Sequence, residues 1–327
     1  MRDVATTNSD AAHKDPCQTC DVLVIGLGPA GACAAAAAAS RGARVIAIDR
    51  KVEAGIPVQC AEFVPRMLGM EIAELGAAQR QVITSMETFV ETGAPAIEPH
   101  FPGIMIDRAE FDATLVANAK AHGTQCRFAT SLRAFDALGT AELSDETRIS
   151  ARVVIGADGP RSRVGSVVGA ANTEIVETRQ ITVPLQQPCV STDIFLSAGI
   201  PGGYAWLFPK GEVANLGIGL APQWRWQLKP LLDDLHARLM GEGRVGAQIS
   251  AHTGGAIPVG GMRRLVSRIG DASVLLAGDA AGLTNPVTGA GIASAVMSGH
   301  EAGVAAARLT DGDASAAACL ERIGKML

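Results

Sequence analysis

The amino-acid sequence predicts an α/β fold in which an antiparallel sheet is inserted into a unit built on a parallel sheet. Three apolar runs, at residues 21–25, 152–155 and 273–277, are rich in Val, Leu and Ile, and each is followed by glycine. Continuous apolar runs of this length are typical of strands that are buried on both faces of a parallel sheet. Residues 174–260 instead contain strand-like runs between Gly and Pro turns, which predicts the antiparallel sheet.

The glycines after the first run have the spacing of a nucleotide-binding turn. Gly26, Gly28 and Gly31 form Gly-x-Gly-x-x-Gly: the first allows a tight turn, the second admits a pyrophosphate, and the third permits close helix packing. The alanine-rich residues 29–41 predict a helix, and the following strand ends at Asp49. A carboxylate there can accept hydrogen bonds from an adenosine ribose. Together these features predict a Rossmann-like dinucleotide-binding unit.

The composition excludes several classes of protein. A net charge of -5 over 327 residues gives no basic surface for nucleic acid, and no apolar run approaches the ~18 residues of a membrane span. Residues 1–16 are polar, so we expect no signal peptide, and we predict that residues 1–19 are a flexible tail. The seven cysteines are scattered and odd in number, which favours a reducing compartment. We therefore expect a cytoplasmic protein.

The cysteine and histidine positions predict no metal site. Cys17 and Cys20 form a Cys-x-x-Cys pair, but no second pair lies at zinc spacing, and the pair precedes a strand rather than opening a helix. The six histidines show no ligand spacing. We interpret the two cysteines as part of the polar tail and the histidines as surface or packing residues.

The segment after the second predicted strand contains candidate site residues. Arg50 and Lys51 either meet a nucleotide phosphate or form a solvated strand end. Residues 55–65 form a proline-bounded loop with Cys60 at its centre. Reacting groups are often found in loops at the carboxyl edge of such a sheet, so Cys60 is either a site residue or a small buried hydrophobe.

A helix is predicted over residues 108–122, after short irregular strands over 82–107. Asp107 is its expected N-cap. Arg108 lies in the first turn, where a cation opposes the helix dipole, so either a nearby anion such as a cofactor phosphate compensates it or it is simply solvated. Residues 124–150 predict a small antiparallel sheet.

Like the first apolar run, the second and third predict buried strands followed by glycine, and in these two an acid comes with the glycine. Asp158 and Gly159 are expected at the sheet edge near the first glycine turn. Asp279 follows Gly278, and its carboxylate can accept hydrogen bonds from the hydroxyls of a ribityl chain or a ribose. A helix is predicted to begin near residues 286–289, where its N–H groups would stabilise negative charge beside the N1–C2 edge of a reduced flavin.

The aromatic residues cluster in one strand of the inserted sheet. Tyr204, Trp206 and Phe208 alternate, so their side chains lie on one face, and Tyr204 is the only tyrosine of the chain. This face either walls a long apolar pocket near a flavin or belongs to an ordinary sheet core. The period of two by itself favours the core interpretation.

These motifs resemble a known family over about residues 20–310. Gly26-x-Gly28-x-x-Gly31, Gly156-Ala-Asp-Gly159 and Gly278-Asp279 occur in the order typical of FAD-dependent oxidoreductases of the p-hydroxybenzoate hydroxylase type. Within that group, the chain is similar to the geranylgeranyl reductase family in two segments. These segments are Pro57-Val-Gln-Cys60-Ala-Glu62 and Tyr204-x-Trp206-x-Phe208-Pro209 followed by Gly217-x-Gly219. The aromatic segment is the more specific of the two and favours the pocket interpretation.

The resemblance implies an FAD enzyme that saturates isolated carbon–carbon double bonds of a geranylgeranyl-type prenyl chain by hydride transfer from reduced flavin. It implies that Cys60 and Tyr204 are candidates for the second carbon's protonation and that Tyr204, Trp206 and Phe208 line the prenyl channel. The expected FAD-binding residues are Gly26, Gly28, Pro29, Ala30, Gly31, Asp49, Arg50, Cys60, Ala61, Arg108, Asp158, Gly159, Gly278, Asp279, Gly289, Ala290, Gly291 and Ile292.

The resemblance leaves the partners partly open. The expected partner is an isoprenoid lipid or a prenylated small molecule, with peripheral contact to a membrane. The electron donor is either NAD(P)H or a reduced ferredoxin-like protein. Many family members continue into a C-terminal helical lobe, whereas this chain ends at Leu327. A more open tunnel, a smaller substrate or a completing partner is expected for that reason.

We predict a discontinuous FAD-binding domain at residues 20–60, 104–170 and 265–327, and a substrate-binding domain at residues 61–103 and 171–264. Two other functions share these flavin segments. A flavin-dependent monooxygenase or halogenase would activate oxygen or halide instead of reducing an alkene. An electron-transfer flavoprotein would make no new bond, but quinone-reducing proteins of that kind carry a C-terminal iron–sulfur segment, and only Cys319 lies in the corresponding tail here.

Overall fold

A computed structural model describes residues 17–65 and 73–324, and within these ranges it contains three sheets and six α-helices. The first nine strands are β1 (Gln18–Ile25), β2 (Val45–Ile48), β3 (Phe63–Pro65), β4 (Gln79–Ile83), β5 (Ser85–Val90), β6 (Ala96–Glu98), β7 (Gly103–Ile106), β8 (Gln125–Arg127) and β9 (Leu132–Phe135). The others are β10 (Ala141–Leu143), β11 (Arg148–Gly156), β12 (Ile175–Pro184), β13 (Ser191–Leu196), β14 (Ala205–Lys210), β15 (Val213–Leu220), β16 (Ala251–Pro258), β17 (Val266–Ile269) and β18 (Ala272–Leu276). The helices are α1 (Pro29–Ala39), α2 (Arg108–Ala121), α3 (Arg163–Val167), α4 (Leu228–Gly241), α5 (Ile292–Thr310) and α6 (Ser315–Gly324).

The largest sheet has eight strands and a parallel centre. Its main path runs β17-β18-β11-β1-β2-β8, with β9 and β10 attached to β11. The pairs β1–β11, β1–β2, β11–β18 and β2–β8 are all parallel, as the buried apolar runs predicted. Their carboxyl ends meet at one edge, because Ile25 lies opposite both Ile48 and Gly156, and Gly156 lies opposite Leu276.

The prediction of an antiparallel sheet over residues 124–150 was wrong for its first strand. β9 and β10 pair antiparallel with each other, and β10 pairs antiparallel with β11. β8 instead pairs parallel with β2 and extends the parallel sheet. β8 is only three residues long, so its pattern of apolar and polar residues is too short to predict which sheet it joins.

The centre of the parallel sheet is covered on one face by α1, α2 and α5. Side chains of these helices, such as Phe111 and Leu115 of α2, share a buried cluster with alternate residues of β1 and β11. The closest packing is between α1 and α5. A Cβ on Gly299 would lie 2.1 Å from the carbonyl oxygen of Ala30, and one on Gly303 would lie 2.2 Å from that of Ala34. The two helices therefore approach backbone to backbone.

The second sheet has seven strands in the order β16-β12-β15-β14-β13-β5-β6. It is antiparallel except for the β13–β5 pair. One face packs on α4 through a buried cluster that includes Ile181, Leu216 and Leu235. The other face carries Trp206 and Phe208 and lies toward a third sheet, which has the order β3-β7-β4.

The strands of the two larger sheets come from different parts of the chain. The parallel sheet uses residues between 18 and 48, 125 and 156, and 266 and 276, while the antiparallel sheet uses residues between 85 and 98 and between 175 and 258. The small sheet joins β3 and β4 with β7, so it spans the proposed boundary at residue 104. The division into two domains stays a prediction.

The N-terminal cysteines do not form a shared site. β1 begins at Gln18, so Gln18 and Thr19 belong to a strand rather than to the predicted tail, and residues 1–16 lie outside the described residues. Cys20 is buried within β1, while Cys17 is exposed. In the described part of the chain, no group of His, Cys, Asp and Glu side chains is arranged to hold a metal ion. Across the same residues, no helix is both long and apolar enough to cross a bilayer.

The contact between α1 and α5 predicts an unusual response to alanine. Gly303→Ala should destabilise the fold by about 1–3 kcal/mol, because the new methyl group overlaps the backbone of Ala34. Gly241, near the end of α4, has open space around its Cα and serves as the matched control. Gly241→Ala should leave stability unchanged or raise it by up to about 1 kcal/mol, since alanine favours helix. Urea unfolding measures both, and equal effects would contradict the packing argument.

Candidate cofactor and substrate site

The glycine turn between β1 and α1 is closed on one side and open on the other. A Cβ on Gly31 would lie 1.8 Å from the carbonyl oxygen of Gly26, and one on Gly26 would lie 2.3 Å from that of Ala157. Gly28 has no heavy atom within 4 Å of its Cβ position. Two glycines are therefore required by the fold itself, whereas the free face of Gly28 offers space for an approaching group.

The N-terminus of α1 is suited to an anion. Gly28 is its N-cap and Pro29 its first residue, no side chain caps it, and the first turn contains no acid. The backbone N–H groups and the positive end of the helix dipole therefore point toward the open face of Gly28. Ala30 is buried and brings no polar atom into the turn. A phosphate group fits this arrangement.

Asp49 is held beside the glycine turn. One of its carboxylate oxygens accepts the N–H of Leu27 at 2.7 Å, and the other accepts the N–H of Lys51 at 2.8 Å. The carboxylate is half-buried at the end of β2, within reach of a group bound at the turn. Arg50 is exposed. The Lys51 ammonium donates to the carbonyl of Pro57 at 3.2 Å, and burial lowers the pKa of Lys51.

The carboxylate of Asp158 is occupied within its own turn. It accepts the N–H of Arg163 at 2.6 Å, the N–H of Val164 at 3.2 Å and the hydroxyl of Ser162. Burial raises the pKa of Asp158, and the Ser162 hydrogen bond opposes the shift. Asp158 therefore shapes the start of α3. Gly159 has a φ of +83° and open space around its Cα, so the backbone rather than the acid faces outward there.

Asp279 follows β18 and lies next to Gly278, which contacts the start of α1. Its carboxylate accepts the Thr284 hydroxyl at 2.6 Å, and burial raises its pKa against the effect of that hydrogen bond. Gly278, with a φ of +59°, packs on α1, because a Cβ there would lie 2.8 Å from the Cβ of Ala30. The acid is half-buried and faces the same edge of the sheet as Asp49.

Asn172 is a site residue that sequence reasoning missed. Its side-chain amide donates to the carbonyl of Pro160 at 2.9 Å and to that of Asp279 at 2.8 Å. It therefore joins the turn after β11 to the turn after β18. Asn172 occurs in an irregular stretch without any motif, so the sequence holds no signal for this contact.

The predicted helix start near residues 286–289 was wrong. Asn285 accepts the N–H groups of Val287 and Thr288, both at 3.0 Å, and Gly289 has a φ of +69°, so this segment is a loop. The helix begins at Ile292 with Gly291 as its N-cap and no capping side chain. Asn285 and Pro286 favour this turn and delay the helix. The positive end of the α5 dipole therefore lies at residues 291–292, just after Ala290.

The Cys60 loop is anchored to the antiparallel sheet. The carbonyl of Cys60 accepts the side-chain amide of Gln180 at 3.1 Å, and that of Ala61 accepts the amide of Asn215 at 3.2 Å. The half-buried Cys60 sulfur accepts the N–H of Glu62 at 3.1 Å. Gln180 and Asn215 are buried and face the loop from neighbouring strands.

Arg108 has its own counterion. Its guanidinium donates to both carboxylate oxygens of Asp112, at 3.0 and 3.1 Å, and the Arg108 side chain is 15% exposed. Burial opposes the charge of Arg108, but the charge of Asp112 and the hydrogen bonds of the guanidinium to Asp112 and Cys60 raise the pKa of the guanidinium. The interpretation of Arg108 as a solvated side chain was therefore wrong. The compensating anion is Asp112, one helical turn further on.

The aromatic face is continuous but mostly buried. Tyr204, Trp206 and Phe208 follow one another with ring centroids 5.9 and 6.2 Å apart. Trp206 and Phe208 are 6% and 7% exposed and pack with Ile83 and Met105. Their surroundings are those of a sheet core, as the period of two favoured, and Tyr204 lies half-buried at the edge of this cluster. A channel along all three residues stays a prediction.

Packing on Gly217 and a hydrogen bond to Gln180 fix the orientation of the Trp206 ring. A Cβ on Gly217, which lies opposite Trp206 in β15, would lie 2.2 Å from the ring, so the ring covers the glycine. The indole N–H donates to the side chain of Gln180 at 3.0 Å. Gln180 therefore bonds both Trp206 and the carbonyl of Cys60, and it couples the aromatic face to the Cys60 loop.

Tyr204 connects the antiparallel sheet with the loop before α5. Its hydroxyl donates to the carbonyl of Thr288 and lies 3.7 Å from the Cβ position of Gly289. Burial raises the pKa of Tyr204 to about 12, so the phenol is neutral and a hydrogen-bond donor near pH 7. The start of the aromatic strand therefore contacts the loop that precedes α5.

Comparison with known proteins agrees with this geometry. The FAD binding domain model matches residues 19–195, and the geranylgeranyl reductase catalytic domain model matches residues 178–256. Digeranylgeranylglycerophospholipid reductase 2 of Methanosphaera stadtmanae is 34% identical over 90% of this chain and 80% of its own length. Digeranylgeranylglycerophospholipid reductase 1 of Methanopyrus kandleri is 32% identical over 92% of this chain and 84% of its own length.

Solved structures show the same fold. A geranylgeranyl bacteriochlorophyll reductase-like protein from Thermoplasma acidophilum superposes with a TM-score of 0.81 at 27% identity, over 95% of this chain and 84% of its own. PqsL of Pseudomonas aeruginosa superposes with a TM-score of 0.71 at 20% identity, over 94% of this chain and 92% of its own. At this identity the superposition indicates a shared fold only. The fold and the glycine turns thus define an FAD-dependent oxidoreductase. Within that class, the chain belongs to the geranylgeranyl reductase family.

The open face of Gly28 allows cofactor binding and folding to be separated. Gly28→Val should keep a folded protein, because a Cβ at this position has no heavy atom within 4 Å, but it should weaken FAD binding by at least about 100-fold by blocking the pyrophosphate. Gly31→Val is the contrast, since its side chain overlaps Gly26 and should prevent stable folding. Flavin fluorescence titration and circular dichroism distinguish the two. A Gly28→Val protein that binds FAD normally would contradict the assigned face.

Proposed function

We propose that this protein reduces the double bonds of prenyl chains carried by a glycerophospholipid, with FAD as its cofactor. The supporting observation is the contact between Tyr204 and Thr288, which brings the family's aromatic strand to the loop that follows Asp279. The relatives named digeranylgeranylglycerophospholipid reductases support the substrate class. The catalytic-domain match favours this function over the monooxygenase and halogenase chemistry of other proteins with the same fold.

The residues at the carboxyl edge of the parallel sheet fit FAD. We assign the pyrophosphate to the turn around Gly28 and the first turn of α1, and the adenosine ribose to Asp49. Asp279 would accept hydroxyls of the ribityl chain, and its carboxylate keeps an acceptor beyond the Thr284 hydrogen bond. The backbone at Gly289–Ile292 would face the flavin edge where negative charge collects. Reduced FAD, when bound, supplies the hydride for one alkene carbon.

The chain itself would supply position and exclude water. An isolated alkene is not polarised, so its reduction depends on holding the double bond close and keeping the site dry. The buried cluster of Trp206, Phe208, Ile83 and Met105 contributes a dry apolar wall behind Tyr204. Cys60 and Tyr204 are the proposed proton donors for the second carbon. The Tyr204 proton is held toward Thr288, whereas the Cys60 sulfur accepts the N–H of Glu62.

The source of electrons is the second part of the proposal. NAD(P)H that docks transiently and a reduced ferredoxin-like protein both fit the chain. The Gly-x-Gly-x-x-Gly at residues 26–31 joins a strand to a helix, whereas the one at residues 241–246 begins at the end of α4 and does not have the context of a dinucleotide turn. Anaerobic addition of NADPH distinguishes the two electron donors. NADPH should bleach the yellow protein under anaerobic conditions if it is the donor, while a protein donor would leave NADPH without effect.

A direct assay tests the reductase function. The holoenzyme, reduced anaerobically with dithionite, should add two hydrogen atoms to each double bond of a digeranylgeranyl glycerophospholipid, a gain of about 2 Da per bond by mass spectrometry. The Gly28→Val protein, which should lack FAD, is the matched blank. An unchanged lipid mass would contradict the proposal, and a product that forms only with oxygen would assign a monooxygenase instead.

We further propose that the lipid is taken from a membrane surface. In the short 3-10 helix Pro222–Gln227, Trp224 is 38% exposed and Trp226 is 67% exposed, and the two flank Arg225. This helix follows β15, whose Gly219 donates to the carbonyl of Tyr204, so the helix lies at the Tyr204 end of the sheet. Tryptophan and arginine side chains with exposed apolar parts favour the interface of a bilayer.

Vesicle sedimentation tests this membrane contact. Trp226→Ser should reduce the fraction of protein bound to phosphatidylglycerol vesicles at least about threefold, because it removes the most exposed tryptophan from the interface. Leu138 is 71% exposed at a distant turn and provides the control, so Leu138→Ser should bind as the unchanged protein does. Equal binding of both variants would contradict a role of this 3-10 helix.

A further inference from the structure

Glu62 has a combination of properties that a surface glutamate does not need. It is 4% exposed, and its φ of +66° lies in the left-handed region that side chains other than glycine rarely adopt. Such a conformation costs on the order of 1 kcal/mol or more and persists only where surrounding contacts enforce it. A buried carboxylate likewise requires partners for its charge. The contacts of Glu62 meet both requirements.

The carboxylate of Glu62 joins three elements. One oxygen accepts the N–H of Arg108, in the first turn of α2, at 3.0 Å. The other accepts the side-chain amide of Asn215, in β15, at 2.8 Å, and pairs with the ammonium of Lys210 at the end of β14. The Lys210 and Glu62 side chains are 20% and 6% exposed, so water screens this ion pair weakly.

The backbone of Glu62 connects these anchors to Cys60. Its N–H donates to the Cys60 sulfur at 3.1 Å, and its carbonyl accepts the N–H of Ile106 at 2.9 Å. The same Asn215 amide that holds the carboxylate also holds the carbonyl of Ala61. Residues 60–62 are therefore fixed from both the side chain and the main chain. The Cys60 sulfur is held by the N–H of Glu62 and by the guanidinium of Arg108, whose backbone N–H the Glu62 carboxylate accepts.

We infer that Glu62 is a positioning residue that sets the place and the orientation of the Cys60 thiol in the site. The inference deepens the proposed function, because it concerns a side chain proposed to take part in the reduction. It does not assign a proton transfer to Glu62 itself. Without the carboxylate, the turn loses its bonds to Arg108 in α2 and Lys210 in β14 and one of its two bonds to Asn215 in β15, and the left-handed conformation loses these contacts.

Alkylation of individual cysteines by iodoacetamide, followed by peptide mass mapping of the holoenzyme, tests the inference without a turnover assay. Glu62→Ala should raise the alkylation rate of Cys60 at least about tenfold relative to that of Cys20, because the loop opens locally while the sheet stays intact. Cys20 is buried within β1 and reports global opening. Equal acceleration of both cysteines, or an unchanged Cys60 rate, would overturn the inference.

A matched variant separates positioning from strain relief. Glu91 is a second glutamate with positive φ, at +52°, and its carboxylate accepts the N–H of Ala198 at 2.7 Å and the hydroxyl of Ser197 at 2.9 Å. Glu91→Ala should leave the Cys60 rate unchanged. Should Glu62→Ala fail to fold, Glu62→Gln keeps the shape of the side chain while losing the charge paired with Lys210, and Cys60 alkylation should rise at least about threefold. An unchanged rate in that variant would also overturn the inference.

A kinetic measurement links the result to the proposed function. With a digeranylgeranyl glycerophospholipid as substrate, Glu62→Ala should lower kcat at least about tenfold more than it lowers the FAD content, while KM stays within about twofold, since Glu62 bonds Cys60 but none of Tyr204, Trp206 and Phe208. Equal loss of kcat and FAD would indicate a structural role and overturn the inference. If the unchanged enzyme reduces no prenyl lipid, the proposed function fails, and the alkylation ratio still decides the role of Glu62.

Discussion

The register of the parallel sheet is the constraint on which the site depends. Because β1, β2 and β11 end opposite one another, the chain must turn at three places along one edge, and these turns bring Gly26 and Gly28, then Asp49, then Asp158 and Gly159 to that edge. The glycines are required by contact: Gly31 and Gly26 meet backbone oxygens, and Gly278 meets α1. Gly28 differs from these glycines, because its Cβ position has no heavy atom within 4 Å and leaves space for an approaching group.

The antiparallel sheet reaches this edge through polar groups placed in an otherwise apolar layer. Gln180 and Asn215 are buried, and each bonds a main-chain carbonyl of the Cys60 loop. Buried amides of this kind are costly unless they are satisfied, and here their partners belong to a loop that has no strand pairing of its own. The two amides therefore act as fixed attachment points, which a purely apolar face could not provide.

The sequence allowed prediction of features that depend on local patterns. The parallel strands followed from apolar runs, and the N-cap role of Asp107 is confirmed by its bond to the N–H of Glu110 at 3.0 Å. Contacts between distant residues had no local signal. Glu62 and Asn215 lie 153 positions apart, and Asn172 reaches a carbonyl 107 positions away. The late start of α5 escaped prediction because the Asn285 turn outweighs the small residues that follow.

The bond between Tyr204 and Thr288 has a thermodynamic consequence. It joins an edge of the aromatic sheet to the loop that precedes α5, so the two halves of the site are not independent. A molecule that displaces the phenol must also release the Thr288 carbonyl, and a molecule that orders the loop also orders the phenol. Occupancy on one side thereby changes affinity on the other, and linkage requires the change to be equal in both directions.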